Sequence, residues 1–343
     1  MTSSDFFSLG IGIGTKNSNG DWLEVFFAAP VFQPQPGLVK MLSSGLDYQG
    51  GNVNIDLTDD VITALADAVD DVAQIAVLEK LKSSTQPRVL TLLETDTAIE
   101  STPEAYLKLH LLSHRYVKPH GTNLEGIFAK LPNVAWTSAG AIDPQELTAR
   151  QLEARAAGTL LTVSSLDKFP RMTDYVVPTG VRIAHSARVR LGAYLGEGTT
   201  VMHEGFVNFN AGAMGPNMIE GRLSQGVTMD SGSDLGGGSS TMGTLSGGGD
   251  IVLTIGKDCL IGANGGTGIP LGDRCTIEAG LYITASTVVQ VLDENRNFVK
   301  IAKARELAGH SDMLFIRNSQ TGMVECRTSN KARKLNEALH SHN

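Results

Sequence analysis

Leu271-Gly-Asp-Arg-Cys-Thr-Ile277-Glu-Ala-Gly-Leu-Tyr-Ile283-Thr-Ala-Ser-Thr-Val-Val289 carries an aliphatic residue at every sixth position. The same interval joins Val189, Leu195, Val201 and Val207, and again Leu223, Met229 and Leu235. It is neither a helical period nor the simple alternation of strands joined by hairpin turns. A six-residue repeat is the mark of a parallel β-helix, in which a short strand forms each flat face and a turn forms each corner. Three sextets then complete one coil of a triangular prism. The aliphatic residue points inward onto its equivalents above and below. The residues after it are small or polar because they turn a tight corner, as in Leu195-Gly-Glu-Gly-Thr-Thr. The stretch from about Val181 to Val289 is therefore expected to be one solenoid.

Its rhythm breaks twice, at Asn208–Arg222 and at Gly236–Gly249. Insertions in a solenoid leave the stack as loops, often on the binding face. Two loops carrying the chemistry are the expectation. After Val289, Asp293-Glu-Asn-Arg-Asn-Phe reads as a hairpin turn, Val299–Leu307 and Met313–Arg317 as strands or covering segments, and Asn330–Asn343 as a short basic helix. These segments would cap strand edges left open at the end of the prism.

Upstream, the pattern is mixed. Ser8-Leu-Gly-Ile-Gly-Ile-Gly and Trp22-Leu-Glu-Val-Phe-Phe alternate like strands around the turn residues Asn17–Gly20. Gly10, Gly12, Gly14 and Lys16 match neither phosphate-loop spacing, so a glycine-rich hairpin is the reading. Val61, Leu65, Val69, Val72, Ile75, Ala76 and Leu78 recur at helical spacing across residues 58–83. Ser101 and Glu104 have capping-box spacing, with Thr102 before Pro103 as an alternative frame. That helix carries His110 and His114 on one face, but the glutamate of a zinc-binding H-E-x-x-H is missing, so a packed pair is expected. A third helix runs from Asp143-Pro144 to about Ala157. The layout expected is an α/β domain over 1–175, a β-helix over 176–291 and a capping region over 292–343.

The whole chain sets outer bounds. Its 343 residues hold two or three domains, and its formal charge of −8 argues against a general nucleic-acid binder. No apolar run is long enough to span a bilayer, and the first residues lack a signal peptide's basic and apolar regions. Cys259, Cys275 and Cys326 are odd in number and lack metal-ligand spacing, so buried, reduced thiols and a cytoplasmic location are expected.

An ordered set of motifs then narrows the class: His203-Glu-Gly-Phe-Val-Asn-Phe-Asn-Ala-Gly212, Glu220-Gly-Arg222, Gly236-Gly-Gly-Ser-Ser240, Met242-Gly-Thr-Leu-Ser-Gly-Gly-Gly249, Ile261-Gly-Ala-Asn264, Ile277-Glu-Ala-Gly-Leu-Tyr282 and Lys303-Ala-Arg-Glu-Leu307. Over roughly residues 180–320 the chain resembles the tetrahydrodipicolinate N-succinyltransferases, hexapeptide acyltransferases, in the variant with a large N-terminal domain. The resemblance implies left-handed coiling, against the usual right-handed crossover. It implies transfer of a succinyl group from succinyl-CoA to the amine of ring-opened tetrahydrodipicolinate, on the diaminopimelate route to lysine. It also implies a homotrimer with active sites between neighbouring prisms.

The chemistry of such a transfer needs a proton acceptor for the attacking amine, donors for the tetrahedral oxyanion, and cations or aligned amides for substrate carboxylates. Glu220 and Arg222 supply a carboxylate and a cation two residues apart. The resemblance points to Glu220 as the catalytic carboxylate, either as nucleophile through an acyl-anhydride or as general base. It carries CoA contacts to Arg222, Gly237, Ser240, Ala263, Glu278, Ala279, Ser286, Lys303 and Ile316, Arg317, Asn318 and Ser319. Ser286 stands where relatives have glycine. Lys303 and Arg317 suit CoA phosphates, and the clusters Gly236–Gly238 and Gly247–Gly249 admit a ligand close to the backbone. Acidic residues near the trimer axis bind magnesium in relatives. Glu204 matches one of them, and Ala187 occupies the place of the other. Two other readings stay open: a hexapeptide transferase using acetyl-CoA, and a non-catalytic or metal-binding β-helix scaffold, for which His185 and His203 are few.

Overall fold

A computed structural model describes residues 6–44, 46, 48–243 and 252–328 of the chain. Contacts divide it into two units: Met1–Leu111 with Gly121–Pro170, and Leu112–His120 with Arg171–Asn343.

In the first unit the strands β1 (Ser8–Lys16), β2 (Trp22–Phe27), β3 (Val31–Phe32), β4 (Val53–Asp56) and β5 (Arg88–Leu93) form an antiparallel sheet in the order β2-β1-β5-β4, with β3 also on β1. The glycines of β1 belong to packing, not to phosphate binding. A Cβ on Gly12 would run into Val25 and the Phe27 ring, which lie across the strand. The helical pattern over 58–83 is two helices, α1 (Asp59–Ala68) and α2 (Val72–Leu81). The break falls where the Asp71 carboxylate accepts the Gln74 N–H at 2.9 Å, so Asp71 starts a new helix instead of continuing the old one. Helix α3 (Thr102–Ser113) begins on Ser101, whose hydroxyl accepts the Glu104 N–H at 3.3 Å, while the Glu104 carboxylate returns to the Glu100 N–H at 3.0 Å. His110 is buried, with Nδ1 2.7 Å from the Tyr106 carbonyl and Nε2 accepting the Phe27 N–H at 3.3 Å. Its nitrogens face the core rather than a metal. Lys108 is 1 % exposed, and its ammonium meets Asp96 at 2.7 Å and the carbonyls of Thr97 and Asn123 at 2.6 and 2.8 Å. Three acceptors offset the desolvation of one charge.

The second unit holds the prism. Three parallel ladders make its faces. Leu195, Ala213, Met229, Ile255 and Leu271 lie in register on the first. Ile183, Val201, Ile219, Leu235, Ile261, Ile277 and Phe315 lie in register on the second. Val207 and Leu223 begin the third, which continues through Thr241, Thr267 and Ile283. All but Ile183 are buried. Each fully buried aliphatic side chain contributes about 1.5–3 kcal/mol.

The expected loop at Asn208–Arg222 is absent. Those residues form a further coil, with Gly212–Ala213 and Asn217–Ile219 as its strands. Its sextet signal is hidden because the inward residue at 213 is only alanine. The real departure is a shortening: inward positions run Val207, Ala213, Ile219 in steps of six, and then reach Leu223 after four. Glu220, Gly221 and Arg222 are that shortened corner. At the second break, Gly236–Ser240 also stay in the coil, with Ser240 paired to Gly266. The extra length lies later, between Thr241 and Ile255, and residues 244–251, including Gly247–Gly249, lie outside the described residues.

Val288–Leu292 and Phe298–Lys303 form an antiparallel hairpin whose turn is closed by Asp293, the carboxylate of which accepts the Asn295 and Asn297 N–H groups at 2.9 and 2.7 Å. Met313–Arg317 extends the second ladder beyond Ile277, and Val324–Thr328 pairs with both segments. The strand edge at this end is thereby covered by chain. The basic helix expected at Asn330–Asn343 lies outside the described residues.

Candidate active site

Each coil turns from the second face to the third through a short corner, and these corners stack into one edge. Glu220-Gly-Arg222, Gly236-Gly-Gly238, Gly262-Ala-Asn264 and Glu278-Ala-Gly280 follow one another along it. The Asn264 N–H donates to the Gly237 carbonyl at 2.9 Å, and the Gly280 N–H to the Ala263 carbonyl at 2.8 Å. Arg317 extends the row, its N–H donating to a Glu278 carboxylate oxygen at 2.7 Å. Sequence-predicted residues far apart in the chain thus share one line.

Along that line, the middle residues of three corners keep their amides open. Among the described residues, the N–H groups of Gly237, Ala263 and Ala279 make no hydrogen bond. Ala263 and Ala279 are exposed and Gly237 is half-buried. The coils are about 4.8 Å apart, so three donors recur at the spacing of a strand pair. Such a row accepts an extended, carbonyl-bearing chain much as a sheet edge accepts a strand. Gly238 holds its corner at φ +69°, and a Cβ there would strike the Asn264 side-chain oxygen, so glycine is demanded by both conformation and space.

Glu220 stands at the head of the row. Its N–H donates to the Leu235 carbonyl at 2.8 Å, and its carboxylate lies over Gly237, with Oε2 3.6 Å from where a Cβ at 237 would be. The shortened corner carries Arg222 onto the third face, where it pairs in register with Ser240, which pairs with Gly266, which pairs with Tyr282. Arg222 is exposed and forms no salt bridge among the described residues. A cleft of about 410 Å³ next to it is lined by Arg188, Glu204, Phe206, Gly221, Gly238 and Ser239.

Other expected contacts fall into a second group. The corner holding Ser286 lies beside Lys303: the Ala304 N–H donates to the Thr287 carbonyl at 2.8 Å and the Arg305 N–H to that of Ala285 at 3.2 Å. Both Ser286 and Lys303 are exposed. Asn318 is occupied with its own turn, giving an amide hydrogen to Glu325 at 2.7 Å and accepting the Gln320 and Thr321 N–H groups. Ser319 is exposed next to it, and Ile316 is half-buried. The three cysteines are free and buried, and burial pushes the Cys326 thiol up to about 12, away from nucleophilic reactivity at neutral pH.

Known proteins match the chain along most of its length. A family model described as tetrahydrodipicolinate N-succinyltransferase middle matches residues 131–171, and one described as hexapeptide repeat of succinyl-transferase matches 252–285. A Pseudomonas putida protein named 2,3,4,5-tetrahydropyridine-2,6-dicarboxylate N-succinyltransferase is 62 % identical over 343 residues, covering 99 % of this chain and 100 % of that one. The chain belongs to the tetrahydrodipicolinate N-succinyltransferase family. A Vibrio cholerae member of the same name is 54 % identical over 98 % of this chain and 99 % of its own. A solved Campylobacter jejuni structure, described as a 2,3,4,5-tetrahydropyridine-2-carboxylate N-succinyltransferase, superposes with a TM-score of 0.88 at 30 % identity, covering 97 % of this chain and 95 % of that one. The hexapeptide match and this superposition support the left-handed β-helix acyltransferase fold.

The magnesium that the family resemblance implies fits these residues poorly. The Glu204 carboxylate is held by the Arg188 guanidinium at 3.0 Å, a cation already in place, and Ala187 offers no oxygen side chain. No group of three metal-ligating side chains occurs among the described residues. His185 and His203 meet edge to face with centroids 5.2 Å apart, a packed pair and not a scaffold metal site. Sequence reasoning passed over Tyr282, Arg188 and Ser239. Tyr282 had a signal, since it occupies the outward position directly before the inward Ile283.

Proposed function

We propose that this chain transfers the succinyl group of succinyl-CoA to the amine of ring-opened tetrahydrodipicolinate, the step of diaminopimelate and lysine biosynthesis that its family performs. The observation that carries the reading is identity of 54–62 % with named succinyltransferases over essentially the full chain. The chain is an acyl-CoA-dependent N-acyltransferase. Its trimeric assembly and its cytoplasmic location are part of the proposal. No helix among the described residues is long and apolar enough to cross a membrane.

The geometry supports a division of labour. The open amides of Gly237, Ala263 and Ala279 receive the carbonyl groups of the pantetheine arm, so the thioester arrives at the Glu220 end of the row. Lys303 and Arg317 attract the CoA phosphates at the other end. The amine nitrogen adds to the thioester carbon, the C–S bond breaks, and the thiolate leaves. Glu220 is the group placed to take the proton lost by the amine. The alternative use of the same carboxylate is direct attack on the thioester, giving an acyl-anhydride that the amine then opens. No step is routed through magnesium.

The test is a free-thiol assay with succinyl-CoA, acetyl-CoA and the cyclic acceptor. Acceptor-dependent CoA release, faster with succinyl-CoA, is the expected result. Equal or faster release with acetyl-CoA would assign the other donor, and no release with either donor would remove the reading.

A further inference from the structure

The outward residues of the third face form a column of their own: Phe206, Arg222, Ser240, Gly266 and Tyr282, one per coil. Tyr282 does not project straight out. A Cβ on Gly266 would collide with the Tyr282 ring and with the Ser240 carbonyl, so the ring lies back across Gly266 towards Ser240. The missing side chain at 266 is what lets it do so. The tyrosine remains 39 % exposed although it covers the coil beneath.

Its hydroxyl therefore faces a particular neighbourhood. Burial raises the Tyr282 pKa, while the Ser240 side chain and the positive charge of Arg222 pull it down. Both neighbours favour negative charge at that spot. The Arg222 guanidinium has no carboxylate partner among the described residues. Arg222 and Ser240 are register neighbours on this face, and the Tyr282 ring leans over Gly266 towards them.

The position matters as much as the chemistry. Glu220 and Arg222 are two residues apart, so their Cα atoms lie within about 7 Å. A four-carbon acyl group held with its thioester carbon at Glu220 has its far carboxylate within reach of Arg222. We propose that Tyr282, with Arg222 and Ser240, forms the seat for the terminal carboxylate of the acyl donor and so selects a dicarboxylic acyl-CoA over a neutral one. Tyr282 is the specificity-determining member, because its hydroxyl is the donor that the fold goes out of its way to bring back over Gly266. This inference rests on the acyl-transfer reading above.

Tyr282→Phe removes that hydroxyl and leaves the ring. The enzyme and this variant are compared in the thiol-release assay with succinyl-CoA and with butyryl-CoA, which has a methyl in place of the carboxylate. A donor too slow to turn over is compared by its competitive inhibition constant. A hydrogen bond to a charged group lost from such a site costs roughly tenfold or more. The variant should lose about tenfold in kcat/KM for succinyl-CoA and nothing for butyryl-CoA, so the ratio of the two falls about tenfold. An unchanged ratio overturns the proposal, whether both donors slow or neither does. A rise in acceptor KM with both donors overturns it too, because the carboxylate seated there is then the acceptor's. Failure of the wild-type enzyme to release thiol with either donor strikes the function instead, and is distinguishable because it needs no variant.

Discussion

Two edges of the same prism turn corners of the same kind and treat the middle amide in opposite ways. On the edge between the first and second faces, that amide is answered by a side chain in every coil from Gly215 onward. Asn217 accepts from Gly215 at 2.6 Å, Asp230 from Ser231 at 2.8 Å, Asp273 from Lys257 at 2.9 Å and Ser311 from Asp273 at 3.0 Å. On the edge between the second and third faces, the equivalent residues Gly237, Ala263 and Ala279 are left open. A half-buried N–H without a partner, as at Gly237, is costly, while the exposed amides of Ala263 and Ala279 are left to solvent or a ligand. Three in register, on the edge that also carries Glu220, mark where an outside acceptor is expected. One edge is finished by its own side chains, and the other leaves its amides open.

The largest effect should come from the head of the open edge. Glu220→Gln keeps the size and removes the charge. It should lower kcat by roughly 10²- to 10⁴-fold and leave far-UV circular dichroism and oligomeric size unchanged. Near-normal turnover would take the chemistry away from this edge altogether.

Next comes a substitution that the fold should tolerate and the reaction should not. A methyl on Gly237 meets nothing closer than Glu220 Oε2 at 3.6 Å. Gly237→Ala should hold or slightly raise Tm, since glycine loses the most freedom on folding. It should lower kcat/KM by about tenfold, because the methyl occupies space beside the carboxylate. A drop in Tm with unchanged kinetics would reverse the assignment of the two edges.

Asp273→Ala is the matching change on the closed edge. It removes the acceptor of the Lys257 N–H and should cost about 1 kcal/mol in denaturant unfolding, with KM for succinyl-CoA unaltered. A shift in KM there would show that both edges bind ligand.

The smallest effect is a pH dependence. Burial lowers the His114 pKa below the ordinary 6.5. Above 6.5 the histidine is neutral in both folded and unfolded chains and contributes no difference. As pH falls below 6.5 the unfolded chain takes up the proton first, so folding stability declines. Urea midpoints measured between pH 7.5 and 5.5 should fall more for the native chain than for His114→Gln. Equal slopes would remove His114 as the cause.

Much of this architecture was legible because most inward positions carry an aliphatic side chain. The sextets from Leu271 to Val289 stated the solenoid outright. They failed at Ala213, where a small inward residue was indistinguishable from a corner residue, and a regular coil read as a loop. The shortened corner at Glu220–Arg222 produced the same error, since a two-residue shortening and an insertion both break a period. The closed edge was half-written in the sequence, because Asp, Asn and Ser at corners are side chains that answer backbone amides. The open edge reads only as glycine and alanine, residues whose meaning lies in what they lack. The outward position of Tyr282 was legible from Ile283, but its direction was not, because that is set by Gly266, a neighbour in space sixteen residues earlier.

The ladder register also fixes a length. From Arg222 through Ser240 and Gly266 to Tyr282 the chain advances three strand spacings, about 14 Å, whatever side chains it carries. The prism is in that sense a ruler graduated in coils. Adding one whole coil between Gly237 and Ala279 would keep every corner and every open amide, and on the proposed reading would lengthen the cofactor arm that fits the edge by about 4.8 Å. Selection on a solenoid of this kind can therefore adjust which ligand length is accepted without altering any residue that performs the reaction.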